Sequence, residues 1–169
     1  MPRRRGGAPS LSTHYDTFQN VDPNFTVYYL AGSSGFTSPT WNGLPAVEID
    51  PATDPSGYWL AINGYPHDTN LKQDLNGDGV DLLMAYALNL DPNSALAGMP
   101  VPIPGPGTLS MTFYGAAQGV TYGAETSTDL QNWGADGVTL SDPDPDGMRT
   151  ATIDTTAPRR FMRLVVDEE

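Results

Sequence analysis

The second half of the sequence is cut into short alternating segments by turn residues. After residue 107, glycine, proline or aspartate separates the segments TLSMTFYG, GVTYGAETST, GVTLS, MRTATI and RRFMRLVV. Alternation with a period of two is typical of β-strands with one buried face. Strands this short, with turns this frequent, suit a two-sheet antiparallel architecture. Residues 108–169 are therefore predicted to form a small antiparallel, immunoglobulin-like β-sandwich, which makes the chain mainly β.

Two of these segments also predict which side chains face the core. In VTYGAET, Val120, Tyr122 and Ala124 alternate with more polar positions, so they should share the buried face. In RFMRLVV, Met162 and Leu164 should face one way together.

An acidic loop runs directly into an apolar segment at residues 74–90, DLNGDGVDLLMAYALNL. A calcium loop of the EF type places oxygen ligands at positions 1, 3, 5 and 7 and needs glycine at position 6 for a sharp turn. Here Asp74, Asn76 and Asp78 supply the first three, Gly79 the turn, and Val80 the carbonyl at position 7. The pattern predicts a structural Ca²⁺ site, followed by a helix over residues 81–90.

The second half of this loop departs from the calcium pattern. Position 9 is Leu82 and position 12, which should be a bidentate acid, is Ala85. Water or a nearby carboxylate would have to replace them; Asp81 is counted among the candidate ligands, with Asp68 and Asp91 as other sources. We expect micromolar or weaker affinity. The alternative is an acidic turn whose charge stabilises the N-terminus of the helix without metal.

Composition changes along the chain predict four regions. Residues 1–23 are polar and lack an apolar period, which is typical of a flexible arm. Residues 24–92 should form a small lobe of strands and helices that includes the acidic loop. Residues 93–107 contain four prolines and are predicted to be an extended connector, leading to the sandwich over 108–169.

Charge and residue usage exclude several functions. The chain has 20 Asp and Glu against 8 Lys and Arg, so nucleic acid is not expected as a partner. The arginines lie near the two ends and are interpreted first as solvated charges, with contact to an acidic surface on a neighbour as the alternative. Cysteine is absent, and no stretch approaches the ~20 apolar residues of a membrane span. The start lacks the apolar part of a signal peptide, so we expect a piece of a longer exported protein, with export by another route as the alternative.

Few residues suggest catalysis. The sequence has no GxSxG motif, no glycine-rich phosphate loop and no CxxC, and acidic pairs stand in no recognisable context. His67 lies beside Asp68 but is interpreted as a loop side chain, and the run DPDPDG at residues 142–147 as a solvated hairpin loop. We therefore predict no enzyme. Three tryptophans, Trp41, Trp59 and Trp133, would form either a sugar-stacking face or core anchors.

Several motifs together resemble a known module. The stretch WLAINGYPHDTNLKQDLNGDGVDLLMAYALNLDPN, then GVTYGAETSTDLQNW and finally PRRFMRLVV is similar to the C-terminal module of large exported proteins of verrucomicrobial and planctomycete type. In that module an acidic loop and a helix ending YALxLDP precede a small β-sandwich with STDLxxW and RFxRL motifs. The matching positions are Asp74, Asn76, Asp78, Tyr86, Leu88, Asp91, Pro92, Ser127, Asp129, Leu130 and Trp133. Many such modules carry Glu where this chain has Ala85. The resemblance implies an exported, surface-associated protein with no activity assigned to the module.

Two expectations for function follow. The first is a non-catalytic structural module at the cell surface or outside the cell, braced by calcium. It would self-assemble into a filament or surface layer by exchange of strands or of the arm, so its partners would be other copies of itself or a larger surface protein. The second is an accessory polysaccharide-binding domain of a secreted hydrolase, which would present exposed aromatic rings on one sandwich face.

Overall fold

The chain divides into two compact units, Met1–Thr69 and Asn70–Glu169. The computed structural model describes residues 7–8, 21–22, 25–155 and 159–169, so the predicted arm lies almost wholly outside the described residues. The division falls inside the predicted lobe 24–92. Consequently the acidic loop and the helix after it belong to the same unit as the C-terminal strands, rather than to the N-terminal strands with which the sequence grouped them.

Each unit has its own set of helices and strands. Unit 1 contains β1 (Val27–Leu30), β2 (Thr40–Trp41), β3 (Leu44–Ile49) and α1 (Pro55–Ile62). Unit 2 contains α2 (Leu82–Ala87), α3 (Ala95–Gly98), β4 (Ile103–Gly105), β5 (Thr108–Tyr114), β6 (Val120–Ser127), β7 (Val138–Leu140), β8 (Met148–Asp154) and β9 (Phe161–Glu168). Within the described residues, no helix has the length and apolar character needed to cross a membrane.

Unit 1 is a three-stranded sheet with a small aromatic core. β3 lies in the middle, parallel to β1 and antiparallel to β2. Tyr29, Trp41 and Ala46 are buried together, and the ring of Phe36 stacks on Tyr29 at 4.9 Å between centroids. Burial of these rings removes a large apolar area from water, which stabilises a sheet too small to have a second layer of strands.

Unit 2 confirms the predicted mainly β fold with a small antiparallel sandwich. One sheet has the strand order β4-β5-β8-β7, and β6 pairs with β9 in the second. Side chains from both sheets share one core: Met111, Phe113, Ala151 and Ile153 from the first, Ala124 and Met162 from the second. The predicted inward positions are confirmed, because Val120 and Ala124 are buried while Tyr122 and Leu164 pack against this cluster.

Helix α2 is fixed to the sandwich by apolar packing and by two tyrosine hydroxyls. Leu88 belongs to the shared core. The Tyr86 hydroxyl donates to the Gln118 carbonyl at 2.9 Å, and the Tyr122 hydroxyl donates to the Ala87 carbonyl at 2.8 Å. Burial raises the pKa of the Tyr122 hydroxyl above its usual value, so it stays a donor at neutral pH. The acidic loop is thereby anchored beside the sandwich.

The helix is shorter than the predicted span 81–90, because Asn89 ends it. Asn89 has a φ of 53°, in the left-handed region where asparagine is tolerated better than most residues. Its amide bonds the Tyr86 carbonyl at 3.1 Å and the Leu90 amide bonds the Ala85 carbonyl at 2.8 Å. These two bonds form a Schellman cap. Leu88 and Leu90 follow the helix and still pack on the core, so the apolar pattern of the sequence extends beyond the helix that it predicted.

The segment 93–107 is more structured than the extended connector predicted from its prolines. It contains the short helix α3 and the strand β4. β4 pairs with β5 at the end of the four-stranded sheet, with Pro104 opposite Leu109. Proline is tolerated in an edge strand because one side of that strand has no neighbouring strand, so the missing N–H can face that side without breaking a hydrogen-bond ladder. The prolines therefore place β4 at an edge rather than prevent a strand.

Candidate functional site

Asp74 organises the acidic loop through its carboxylate. Oδ1 accepts from the Gly77 amide and Oδ2 from the Gly79 amide, both at 2.8 Å. The two glycines have φ values of 72° and 90°, so the loop turns sharply at positions where other residues would be strained. Gly79 thus has the conformation that the sequence predicted for position 6.

Asn76 and Asp78 extend the same pattern and also reach outside the loop. The side-chain Oδ1 of Asn76 accepts from the Asp78 backbone amide at 3.0 Å, and Asp78 Oδ1 accepts from the Val80 backbone amide at 2.9 Å. The Asn76 amide group donates to Asp78 Oδ2 at 3.1 Å and to the Pro92 carbonyl at 3.0 Å, while the Leu96 amide donates to Asp78 Oδ2 at 3.3 Å. The loop therefore holds residues 92–96, the segment that leads into β4.

These hydrogen bonds set the electrostatics of Asp78. Desolvation alone would raise the pKa of the Asp78 carboxyl, but hydrogen bonds from the Val80 and Leu96 amides and from Asn76 outweigh it and hold the pKa below its usual value. The carboxylate is therefore ionised throughout the neutral range, as either a cation ligand or a hydrogen-bond acceptor requires.

The remaining candidate ligands have structural contacts of their own. Val80 is buried, and Asp81 Oδ1 accepts from the Met84 amide at 2.8 Å as the N-cap of α2. Asp91 Oδ1 accepts from the Asn93 amide at 2.9 Å. Asp81, counted among the candidate metal ligands, therefore caps α2, whereas the alternative to a metal site had assigned helix stabilisation to the charge of the turn at residues 74–78.

The positions that would complete a calcium shell contribute no oxygen. Leu82 and Ala85 are 3% and 1% exposed and point away from solvent into packed surroundings. In the part of the chain that the structure describes, no three His, Cys, Asp or Glu side chains converge so as to hold a metal ion. Ca²⁺ takes six to eight oxygens. The predicted set of Asp74, Asn76, Asp78 and the Val80 carbonyl would supply only part of such a shell, so calcium binding at this loop stays a prediction.

A second aspartate-centred turn lies after β6, in the STDL motif. Asp129 Oδ1 accepts from the Gln131 and Asn132 amides at 2.8 Å and from the Ser127 hydroxyl at 3.0 Å, and Oδ2 accepts from the Asn132 side chain at 2.7 Å. The Asn132 and Gln131 amides, followed by the two side chains, hold the pKa of the Asp129 carboxyl far below its usual value. Leu130, with a φ of 64°, completes the turn.

Trp133 of the STDLxxW motif and Arg163 of the RFxRL motif pack on each other beside this turn. Arg163 donates to Glu125 Oε2 through Nε at 2.8 Å, and its guanidinium lies 4.5 Å from the centre of the Trp133 ring. Arg163 and Glu125 are direct cross-strand partners in β9 and β6. The residues that carry the family resemblance therefore have structural roles, which the sequence motifs alone did not indicate.

The tryptophans do not form a common sugar-stacking face. Trp41 is buried in unit 1, and its indole N–H donates to the Gly35 carbonyl at 2.8 Å. Trp133 belongs to unit 2 and has Arg163 over its ring. Trp59 lies on α1, also in unit 1, so Trp133 is the one tryptophan in the sandwich unit and the tryptophans form no exposed row on a sandwich face.

The run at residues 142–147 confirms its interpretation as a hairpin loop, between β7 and β8. Asp144 Oδ1 accepts from the Asp146 amide at 3.0 Å and from the Met148 amide at 2.8 Å, and the aspartates of the run are exposed. Like the other two aspartate loops, it is held by bonds from its own backbone.

One cleft in unit 1 was missed by the sequence analysis. It is lined by residues from 28–30, 49 and 61–68, among them Tyr28, Tyr65, His67 and Asp68. His67 packs on Tyr28, and its Nδ1 lies 3.8 Å from Asp54 Oδ2. The strand and the loop that line it are distant in sequence, so no local motif pointed to the cleft. The adjacent His67 and Asp68 were visible in the sequence but were interpreted as part of a loop.

Comparison with known proteins identifies no family for the chain. No family model, no curated protein and no solved structure matches the chain. The resemblance to exported surface modules therefore stays a prediction that rests on its own motifs, and the roles of individual residues rest on the geometry described above.

Proposed function

We propose that the chain is a non-catalytic structural module of an exported or cell-surface protein, and that it joins other copies of itself through an open sheet edge. The acidic loop braces the segment that carries this edge. Support comes from the exposed apolar residues around β4, from the charge distribution of the sequence and from the hydrogen bonds of the loop.

The exposed edge at β4 is the observation that carries the proposal. Among the described residues, β4 is the terminal strand of its sheet and pairs with β5 alone. Three large apolar side chains on and before it are mostly exposed: Ile103 is 69%, Val101 72% and Leu96 59% exposed. An edge strand flanked by exposed apolar residues is a site where an extended segment of another chain can add.

The charge distribution favours a second copy as the partner. Apart from Lys72, every Lys and Arg lies in residues 3–5 or 149–163, whereas the intervening sequence is acidic. A basic end of one copy and the acidic middle of another are complementary, which favours association in a defined orientation. The neighbour would supply either a strand or its arm.

Calcium is proposed as a weak addition to the brace. Asp74, Asn76, Asp78 and the Val80 carbonyl would hold it, and the ion would offset the repulsion between the two carboxylates. The hydrogen bonds to Pro92 and Leu96 already connect the loop to the segment before β4. Bound calcium would therefore strengthen an existing connection.

Sedimentation velocity over a concentration series, with negative-stain microscopy of the same samples, tests the proposal. We expect species that grow with concentration and regular polymers in the images. The double variant Val101→Lys, Ile103→Lys should remain monomeric with an unchanged circular dichroism spectrum, because both side chains are exposed and lysine blocks edge pairing.

Val47→Lys is the matched control, since Val47 is 44% exposed on β3, the central strand of its sheet. It should assemble like the parent chain. A parent chain that is monomeric at the highest concentration reached would overturn the proposal, as would assembly that the double lysine variant leaves unchanged.

A further inference from the structure

Unit 1 contains a cleft with an aromatic wall that the structural role does not use. Its volume is about 450 Å³, within the range of roughly 300–1,000 Å³ that is typical of small-molecule sites. Tyr28 from β1 and the segment from Gly64 to Asp68 after α1 form its sides. Strand and loop thus meet to form a concave surface.

The aromatic wall has a partly fixed geometry. The Tyr28 and His67 rings lie 4.3 Å apart between centroids, at 43° to each other, and Tyr28 is 50% exposed. His67 Nδ1 lies 3.8 Å from Asp54 Oδ2, while Asp54 Oδ1 caps α1 by accepting from the Gly57 amide at 2.8 Å. The contact with Asp54 connects the imidazole to the start of a helix, and half of the Tyr28 surface remains available to a ligand.

The charge around the cleft selects the kind of ligand. Asp68 lines the cleft, Asp54 lies beside the cleft residue His67, and none of the ten lining residues is a lysine or arginine. An anion would be repelled, and a neutral molecule would gain nothing from this field. A cation gains from Asp68 and also from the electron-rich face of a tyrosine ring.

We propose that this cleft binds an organic ammonium group. Tyr28, assisted by Tyr65, would contact the ammonium through its ring, and Asp68 would supply the opposite charge. The volume leaves room for the rest of the ligand, so the ammonium group would belong either to a small alkylammonium ion such as choline or to a protonated amino sugar. The proposal is independent of self-assembly and would survive a monomeric chain.

NMR titration of the full chain with choline, glucosamine, N-acetylglucosamine and glucose tests the proposal. We expect saturable shifts at residues 28 and 64–68 with a Kd on the order of 1 mM for the cationic ligands. The two neutral sugars should cause none. Equal binding of choline and glucosamine would indicate that the ammonium group alone is recognised, and stronger glucosamine binding would assign the cleft to amino sugars.

Two pairs of variants identify the groups involved. Tyr28→Ala should weaken choline binding by about fivefold, the value of one cation–π contact of about 1 kcal/mol, whereas Tyr28→Phe should retain it. Asp68→Asn should weaken binding and reduce its salt dependence, and Glu48→Gln, outside the cleft, should not. The proposal is overturned if glucose binds as well as glucosamine, if no ligand gives saturable shifts, or if a folded Tyr28→Ala variant binds choline unchanged.

Discussion

The acidic loop at residues 74–79 and the STDL turn at residues 127–132 use the same chemistry in different ways. In both, an aspartate accepts hydrogen bonds from the backbone that follows it. The STDL turn is closed, because the acceptors of Asp129 are used within the turn. The acidic loop is open, because Asn76 and Asp78 also bind Pro92 and Leu96.

This difference shows what a calcium-like pattern does and does not specify. An aspartate-centred turn can be held by hydrogen bonds from its own backbone N–H groups. The STDL turn shows this, because it is held in that way and does not have the DxNxDG sequence of a calcium loop. The additional feature of the acidic loop is its reach to the segment before β4. Its function in the fold is therefore to position that segment, and any bound cation would act through the same contacts.

Restoring the missing acid should have the largest effect. Ala85→Glu places a carboxylate where the native side chain is 1% exposed, and burial of an unpaired charge should cost about 3 kcal/mol or more. Ala135→Glu, at an exposed position, is the control and should change stability little. Chemical unfolding measures both. An Ala85→Glu variant of parental stability that binds calcium tightly would show that the loop is a calcium site lacking one ligand.

Removing the centre of the closed turn should have the next largest effect. Asp129→Ala leaves the Gln131 and Asn132 amides, the Ser127 hydroxyl and the Asn132 side chain without their shared acceptor. The Tm of the Asp129→Ala variant should fall clearly. Asp136→Ala, at an exposed position in the loop before β7, should change the free energy of unfolding by no more than about 0.5 kcal/mol, so its Tm should stay close to that of the parent. Equal Tm values for the two variants would contradict the role given to Asp129.

Weakening the open acidic loop by mutation should change local stability at residues 92–96 rather than the stability of the whole chain. Asp78→Asn replaces one acceptor oxygen by a donor, which weakens the bonds from Asn76 and from the Leu96 amide. Hydrogen exchange at the Leu96 amide should become roughly threefold to tenfold faster, with little change in the β5 and β8 strands. Asp142→Asn, in the other acidic run, should leave exchange at Leu96 unchanged. Unchanged exchange in Asp78→Asn would mean that the loop does not hold residues 92–96.

The smallest effect should appear on acidification. The folded pKa values of Asp78 and Asp129 lie below the ordinary 3.8, so their stabilisation is complete above about pH 5 and is lost as the pH falls through each folded pKa. Because the pKa of Asp129 is lowered further, Asp78 should titrate first. NMR of the side-chain carboxyl carbons gives the order directly. The reverse order would contradict the comparison of the two turns.

Sequence reasoning predicted the sandwich better than the boundaries within the chain. Alternation and turn residues gave the C-terminal strands and their buried faces, because a strand with one buried face repeats every two residues. Three features were beyond local pattern: the end of α2 at Asn89, the pairing of β4 with β5, and the union of the acidic loop with the sandwich. The last two depend on contacts between distant residues, such as the bond from Tyr122 to Ala87. The first depends on the left-handed conformation of Asn89, which the apolar period of the sequence did not show.

The candidate sites show the same division. The loop sequence predicted the sharp turn at Gly79 and the candidate ligands, but it gave no sign that Asn76 donates to the Pro92 carbonyl. The cleft around Tyr28 joins a strand to a loop more than 30 positions later, so the sequence showed the adjacent His67 and Asp68 but not the cleft that they line. Motif residues such as Trp133 were found by resemblance, and their packing became clear only in three dimensions.

Thermal unfolding of the parent chain in EDTA and in millimolar calcium tests most directly the claim that hydrogen bonds hold the acidic loop and calcium only strengthens it. We expect cooperative unfolding of a fully folded chain in EDTA, with a Tm only a few degrees higher in calcium. A site with a Kd of about 0.2 mM gains about 1 kcal/mol from about 1 mM calcium. Loss of the folded near-ultraviolet circular dichroism signal in EDTA would contradict the claim, because it would make the metal indispensable to the fold.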